Sequence, residues 1–106
     1  MSEHRLCAVD DLENGEVRRF DVAGQPIAVV RLGDQFYAIG DTCSHANVSL
    51  SEGEVHADTC ELECWKHGST FSLVTGAPST LPATRPVPTY ATVVRDGDLF
   101  LAMGGG

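Results

Sequence analysis

Short apolar runs broken by glycine-bearing turns mark both ends of the chain. Val17 to Val22, Pro26 to Leu32 and Gln35 to Ile39 are rich in Val, Ile, Phe and Tyr. Turn signals lie between them at Asn14-Gly15, Ala23-Gly24 and Gly33-Asp34. Val17, Arg19 and Asp21 alternate, imperfectly, with Arg18, Phe20 and Val22. Further on, Pro88 to Arg95 and Leu99 to Met103 flank Asp96-Gly97-Asp98, which reads as a hairpin. Nothing runs long enough at helical period to demand a helix. The pattern predicts an all-β fold of short antiparallel strands in a sandwich or barrel.

The middle breaks the pattern. From Gly40 to about Pro88 the chain carries nearly all its His and most of its Cys, with many Gly and Pro and fewer apolar runs. It reads as an elaborated insertion between framework strands. The terminal Gly104-Gly105-Gly106 reads as a disordered tail.

Composition narrows the classes. At 106 residues and 42% hydrophobic content, one domain with one core is expected. An oxygenase catalytic domain would not also fit. Fifteen acidic residues against seven basic ones give a net charge of −8. Such a surface repels phosphate backbones and anionic lipid, so neither nucleic acid nor membrane is an expected partner. No apolar h-region follows Met1 and no run approaches a membrane span, so a soluble cytoplasmic monomer is expected. Four cysteines in a reducing compartment then point to metal or redox chemistry before disulfides.

The insertion holds the candidate chemistry. Cys43-Ser44-His45 is a C-x-H pair and Cys64-Trp65-Lys66-His67 a C-x-x-H pair, with 18 residues between them. Each sets a thiolate and an imidazole on one tight turn. Two such turns facing each other make a pocket of two sulfurs and two nitrogens. Gly68 would let the backbone approach a metal centre, and Gly76-Ala77-Pro78 offers a third turn to shield it. Zinc is the main rival, since it also takes two Cys and two His, but structural zinc more often uses C-x₂₋₄-C knuckles.

These motifs resemble the Rieske cluster-binding signature. The tract from Cys64 to Phe71, followed by Thr75-Gly76, is similar to the second loop of Rieske-type ferredoxins. Leu81-Pro82-Ala83 and Pro86 to Tyr90 resemble the strand that follows it in that family, and the likeness runs from about Leu6 to Leu101. It implies one domain, 1–106, with framework strands at about 4–40 and 86–103 and a cluster-binding subdomain at about 41–85. It also implies one [2Fe–2S] cluster, with Cys43 and Cys64 on one iron and His45 and His67 on the other. Ser69, Trp65 and Pro78 would surround it.

Charge counting shows what the histidines do. Two Fe(III), two sulfides, two thiolates and two neutral imidazoles sum to zero, whereas four thiolates would add two negative charges. The more neutral centre accepts an electron more readily, at roughly −150 to +300 mV. Within that range several features point low. The extra cysteine pair of respiratory Rieske proteins is absent. Ser69 keeps one hydroxyl that could donate to cluster sulfur, but Phe71 stands where a donating Tyr would be. From Asp41 to Cys64 there are six acids and no Lys or Arg.

The resemblance implies a one-electron carrier. It would take electrons from a flavin-dependent NAD(P)H reductase and pass them to a terminal ring-hydroxylating oxygenase, without being a catalyst alone. The acidic stretch would suit a partner with a basic face. Alternatives are a carrier for another redox system, such as nitrite reductase or iron–sulfur assembly, and a zinc-stabilised interaction module. Cys60 and His56 match no motif position and read as non-ligands. Cys7 reads as a buried strand residue and His4 as a solvated one.

Overall fold

The computed structural model describes residues 2–42, 49–65, 68–78 and 85–103. Among the described residues nine strands form two sheets and no α-helix occurs. They are β1 Ser2–Ala8, β2 Val17–Val22, β3 Gln25–Leu32, β4 Gln35–Gly40, β5 Val55–His56, β6 Glu61–Glu63, β7 Thr70–Ser72, β8 Thr89–Arg95 and β9 Asp98–Met103. Two 3₁₀ turns, Val9–Asp11 and Leu50–Glu52, join them.

The larger sheet has six strands in the order β1-β9-β8-β4-β3-β2, antiparallel throughout. It curls until its edges, β1 and β2, face each other across a cleft lined by 4–6 and 20–23. The all-β expectation therefore holds, as a nearly closed barrel. Two-residue turns set the hairpin registers. Val22 pairs Gln25 across Ala23 and Gly24 (φ 50° and 80°), and Arg95 pairs Asp98 across Asp96 and Gly97 (φ 52° and 79°). Positive φ at both central positions matches the twist of the strands they join.

β3 explains why its sequence barely alternates. Ile27, Ala28, Val29 and Val30 are all fully buried. Ile27 and Val29 face a core inside the barrel with Leu12, Phe36, Leu99 and Leu101. Ala28 and Val30 face a second core with Leu50, Leu62, Cys64, Phe71 and Val87. A strand apolar on both faces has no period of two to read.

The second core lies against the smaller sheet, β5-β6-β7. Leu62 pairs Phe71 across β6 and β7, and neither is exposed to solvent.

Three expectations need correction. β8 begins at Thr89, not Pro88, because proline has no N–H; the Pro88 carbonyl instead accepts from the Gly40 N–H at 2.8 Å. Residues 86–88 form no strand, and 81–83 lie outside the described residues. His4 is half-buried in β1 opposite Leu101, not a solvated terminal residue. Cys7 is buried on the same strand, as expected, and that burial raises its thiol pKa.

Candidate metal centre

The described residues that flank each motif are joined by backbone hydrogen bonds or bridges. β6 and β7 form a hairpin whose tip carries the second motif. At its neck the Cys64 N–H donates to the Ser69 carbonyl at 2.6 Å, and the Cys64 carbonyl accepts from Gly68 N–H at 2.9 Å. Gly68 stands at φ 74° with open space where a Cβ would be. Its requirement is therefore the left-handed turn; among the described residues no close approach demands it.

The first loop leaves β4 and returns at the 3₁₀ turn. Thr42 bridges Ser49 in antiparallel fashion across it. Asp41, just before, is 1% exposed. One of its oxygens accepts from the Ser49 hydroxyl, and the other from the Ser51 N–H at 2.9 Å. Its backbone carbonyl takes the Leu50 N–H at 2.6 Å. The sequence offered no sign of this role, since Asp41 reads there as one acid among six.

Of the four predicted ligands, Cys64 lies among the described residues; Cys43, His45 and His67 lie outside them. Cys64 is fully buried and not in a disulfide. A free thiol enclosed at the base of a tight turn fits a thiolate ligand of a metal centre. The residues expected around it behave differently from one another. Ser69 is fully buried, whereas Trp65 is 52% exposed, which favours a contact surface over a shield. Pro78 bridges Phe71 after the chain turns at Gly76, where a Cβ would collide with the Val87 carbonyl.

The two residues read as non-ligands have other partners. The His56 ring pairs with Glu63 at 2.9 Å, and that hydrogen bond raises its pKa. Glu54, His56 and Glu63 bring donor atoms within 4.8 Å of one another, apart from the predicted ligand set. Cys60 adopts φ 57° in the turn before β6. The neighbouring Cys60 side chain raises the Tyr37 pKa. Of the acidic stretch, Glu52, Glu54 and Asp58 are exposed, while Asp41 faces inward and leaves the surface patch.

Comparison with known proteins adds the following. Residues 2–91 match the Rieske [2Fe–2S] domain model. The chain is 44% identical over 101 residues to the 3-phenylpropionate/cinnamic acid dioxygenase ferredoxin subunit of Escherichia coli, covering 95% of this chain and 93% of that one. The ferredoxin of carbazole 1,9a-dioxygenase from Nocardioides aromaticivorans superposes with a TM-score of 0.93 at 40% identity, over 96% of this chain and 98% of that chain. A complex of reduced oxygenase and oxidized ferredoxin in carbazole 1,9a-dioxygenase contains a chain 40% identical, with a TM-score of 0.88 over 94% of this chain and 92% of that one.

Proposed function

The chain belongs to the Rieske [2Fe–2S] domain family, and from that premise we propose that it is the one-electron carrier of a multicomponent ring-hydroxylating oxygenase. Its cofactor is one [2Fe–2S] cluster, which gains and loses a single electron when bound. It acts as a component and not as a catalyst alone, as its ferredoxin relatives do.

Cys43, His45, Cys64 and His67 would hold the cluster, the thiolates on one iron and the imidazoles on the other. The 41–85 segment would be the cluster-binding subdomain. The observation that carries the reading is the placement of Cys64. A fully buried free thiol sits at the neck of a hairpin whose next residue, Trp65, is half-exposed. A ligand kept dry yet one residue from the surface suits a centre that exchanges electrons through a docking face. Trp65 would supply apolar contact there. Glu52, Glu54 and Asp58 would steer a basic partner, with an association rate that falls as salt rises.

The terminal oxygenase is the partner that the solved carbazole complex supports by analogy. A flavin-dependent NAD(P)H reductase would be the donor. Among the described residues no helix is long and apolar enough to cross a membrane; work in the cytoplasm is the proposed setting. The acidic run and the Phe71 position favour a midpoint at the low end of the Rieske range.

Reconstitution tests the proposal. NADH, a flavin-dependent reductase and a ring-hydroxylating oxygenase should turn over substrate only when this protein is added. Equal turnover without it, or with a Cys64→Ser variant, contradicts the assignment.

A further inference from the structure

Asp41 is an anomaly in the acidic stretch. Glu52, Glu54 and Asp58 face water, but Asp41 is 1% exposed. A carboxylate removed from water needs donors to replace its hydration. Here they come from the far side of the ligand loop: the Ser49 hydroxyl on one oxygen and the Ser51 N–H on the other, at 2.9 Å. Ser49 and Ser51 share a further hydroxyl contact at 2.7 Å. The backbone of Asp41 is fixed as well. Its N–H donates to the Pro26 carbonyl of β3 at 3.0 Å, and its carbonyl accepts from Leu50, whose side chain is fully buried in the second core.

Among the described residues the cation facing the carboxylate is Arg19 of β2. Its Nε lies 3.8 Å from Asp41 but is hydrogen-bonded to Asp21 at 3.3 Å. Arg19 is thus mostly committed elsewhere. Asp41 owes its position to the loop it grips rather than to an ion pair.

We propose that Asp41 is a positioning residue of the metal centre: its carboxylate locks the two ends of the 43–48 loop together and so fixes Cys43 and His45 at the cluster. The inference rests on the Rieske reading and deepens it. Cys43 follows two residues later and His45 four, so slack at the neck passes directly to both ligands. A carboxylate suits the task because it offers one acceptor to each donor. An amide would offer one acceptor and turn an N–H₂ toward the other donor. The buried charge has a second effect, since it disfavours the more negative reduced cluster.

The test compares Asp41→Asn, Ser49→Ala and, as a control, Thr92→Val. Thr92 donates to the Phe36 carbonyl at 2.9 Å in the barrel sheet, so its loss weakens the fold away from the loop. Three readouts are taken on anaerobically purified protein: the EPR g-values of the reduced state, the midpoint potential, and the half-life of visible absorbance under a chelator. Ser49→Ala should keep the charge, shift the g-values and shorten the half-life about threefold to tenfold. Asp41→Asn should shorten it about tenfold or more. It should also raise the midpoint by up to about 59 mV, a tenfold change in a one-electron equilibrium.

Thr92→Val should lower Tm and move none of the three. If Asp41→Asn and Ser49→Ala also lower Tm alone, the positioning role is overturned. Should Asp41→Asn fail to fold, Ser49→Ala decides by the same criterion. A wild type without any cluster signal would instead overturn the family reading, and this inference with it.

Discussion

In the barrel sheet the strands run six to eight residues and three hairpins close in two-residue turns; among the described residues of the 49–78 segment no strand exceeds three residues. Charge divides the same way. On the barrel, arginines meet acids at Arg5–Asp98, Arg18–Glu16, Arg19–Asp21 and Arg95–Glu3. From Asp41 to Cys64 the chain has six acids and no Lys or Arg. The barrel sheet encloses a core of its own. The 49–78 segment leans on the second core and on closed necks, and its exposed acids are Glu52, Glu54 and Asp58.

Removing the cluster should break this comparison open most widely. Metal ligation is folding energy for the loops that provide ligands. Hydrogen exchange on protein stripped by acid and chelator should show amides of 49–78 losing most of their protection while β2, β3 and β4 keep theirs. Uniform loss across both regions would mean that they fold as one unit.

That unevenness also governs what could be read from the chain. β2, β3, β4, β8 and β9 were legible because runs of six to eight residues carrying Val, Ile, Leu, Phe or Tyr end at or near turn signals such as Ala23-Gly24. β1 escaped notice as a full strand because Ser2-Glu3-His4-Arg5 is polar, and its burial begins only at the middle of the strand. β5, β6 and β7 are too short to display any period. The ligand motifs stood out because Cys and His are rare and their spacing is specific. Asp41 did not, because a carboxylate's role depends on which loop closes over it, and spacing alone does not show that.

Glycine substitutions sharpen the contrast next. At Gly53 a Cβ would collide with the Glu63 carbonyl, on the strand that leads into Cys64. Gly53→Ala should cost about 2–3 kcal/mol as an overpacking defect and hasten cluster loss. At Gly97 nothing crowds the site, and only the φ of 79° is unfavourable. Gly97→Ala should cost about 1 kcal/mol and leave the cluster untouched. Denaturant melts with parallel absorbance traces would show both.

Charge removal comes third. Replacing Glu52, Glu54 and Asp58 together by Gln should slow electron delivery to an oxygenase severalfold at low salt, measured by stopped flow, and flatten its salt dependence. Tm should barely move. Arg95→Ala on the barrel should do the reverse, costing under about 1 kcal/mol of stability with no change in rate.

The smallest effect concerns His56. Its hydrogen bond to Glu63 raises its pKa in the folded state. The stability this contributes is fully present below the unfolded value, near 6.5, and is lost as pH rises through the raised folded value. His56→Gln should remove that slope from a Tm-against-pH series between pH 6 and 8, about the range where histidine titrates. An unchanged slope would place the titration elsewhere.

The most direct measurement is EPR of the dithionite-reduced, anaerobically purified protein together with its redox titration. A Cys₂His₂ cluster predicts a coloured protein, a rhombic signal and a midpoint toward the low end of roughly −150 to +300 mV. A colourless, silent protein would contradict the cluster, and a strongly positive midpoint would contradict its place as a low-potential carrier.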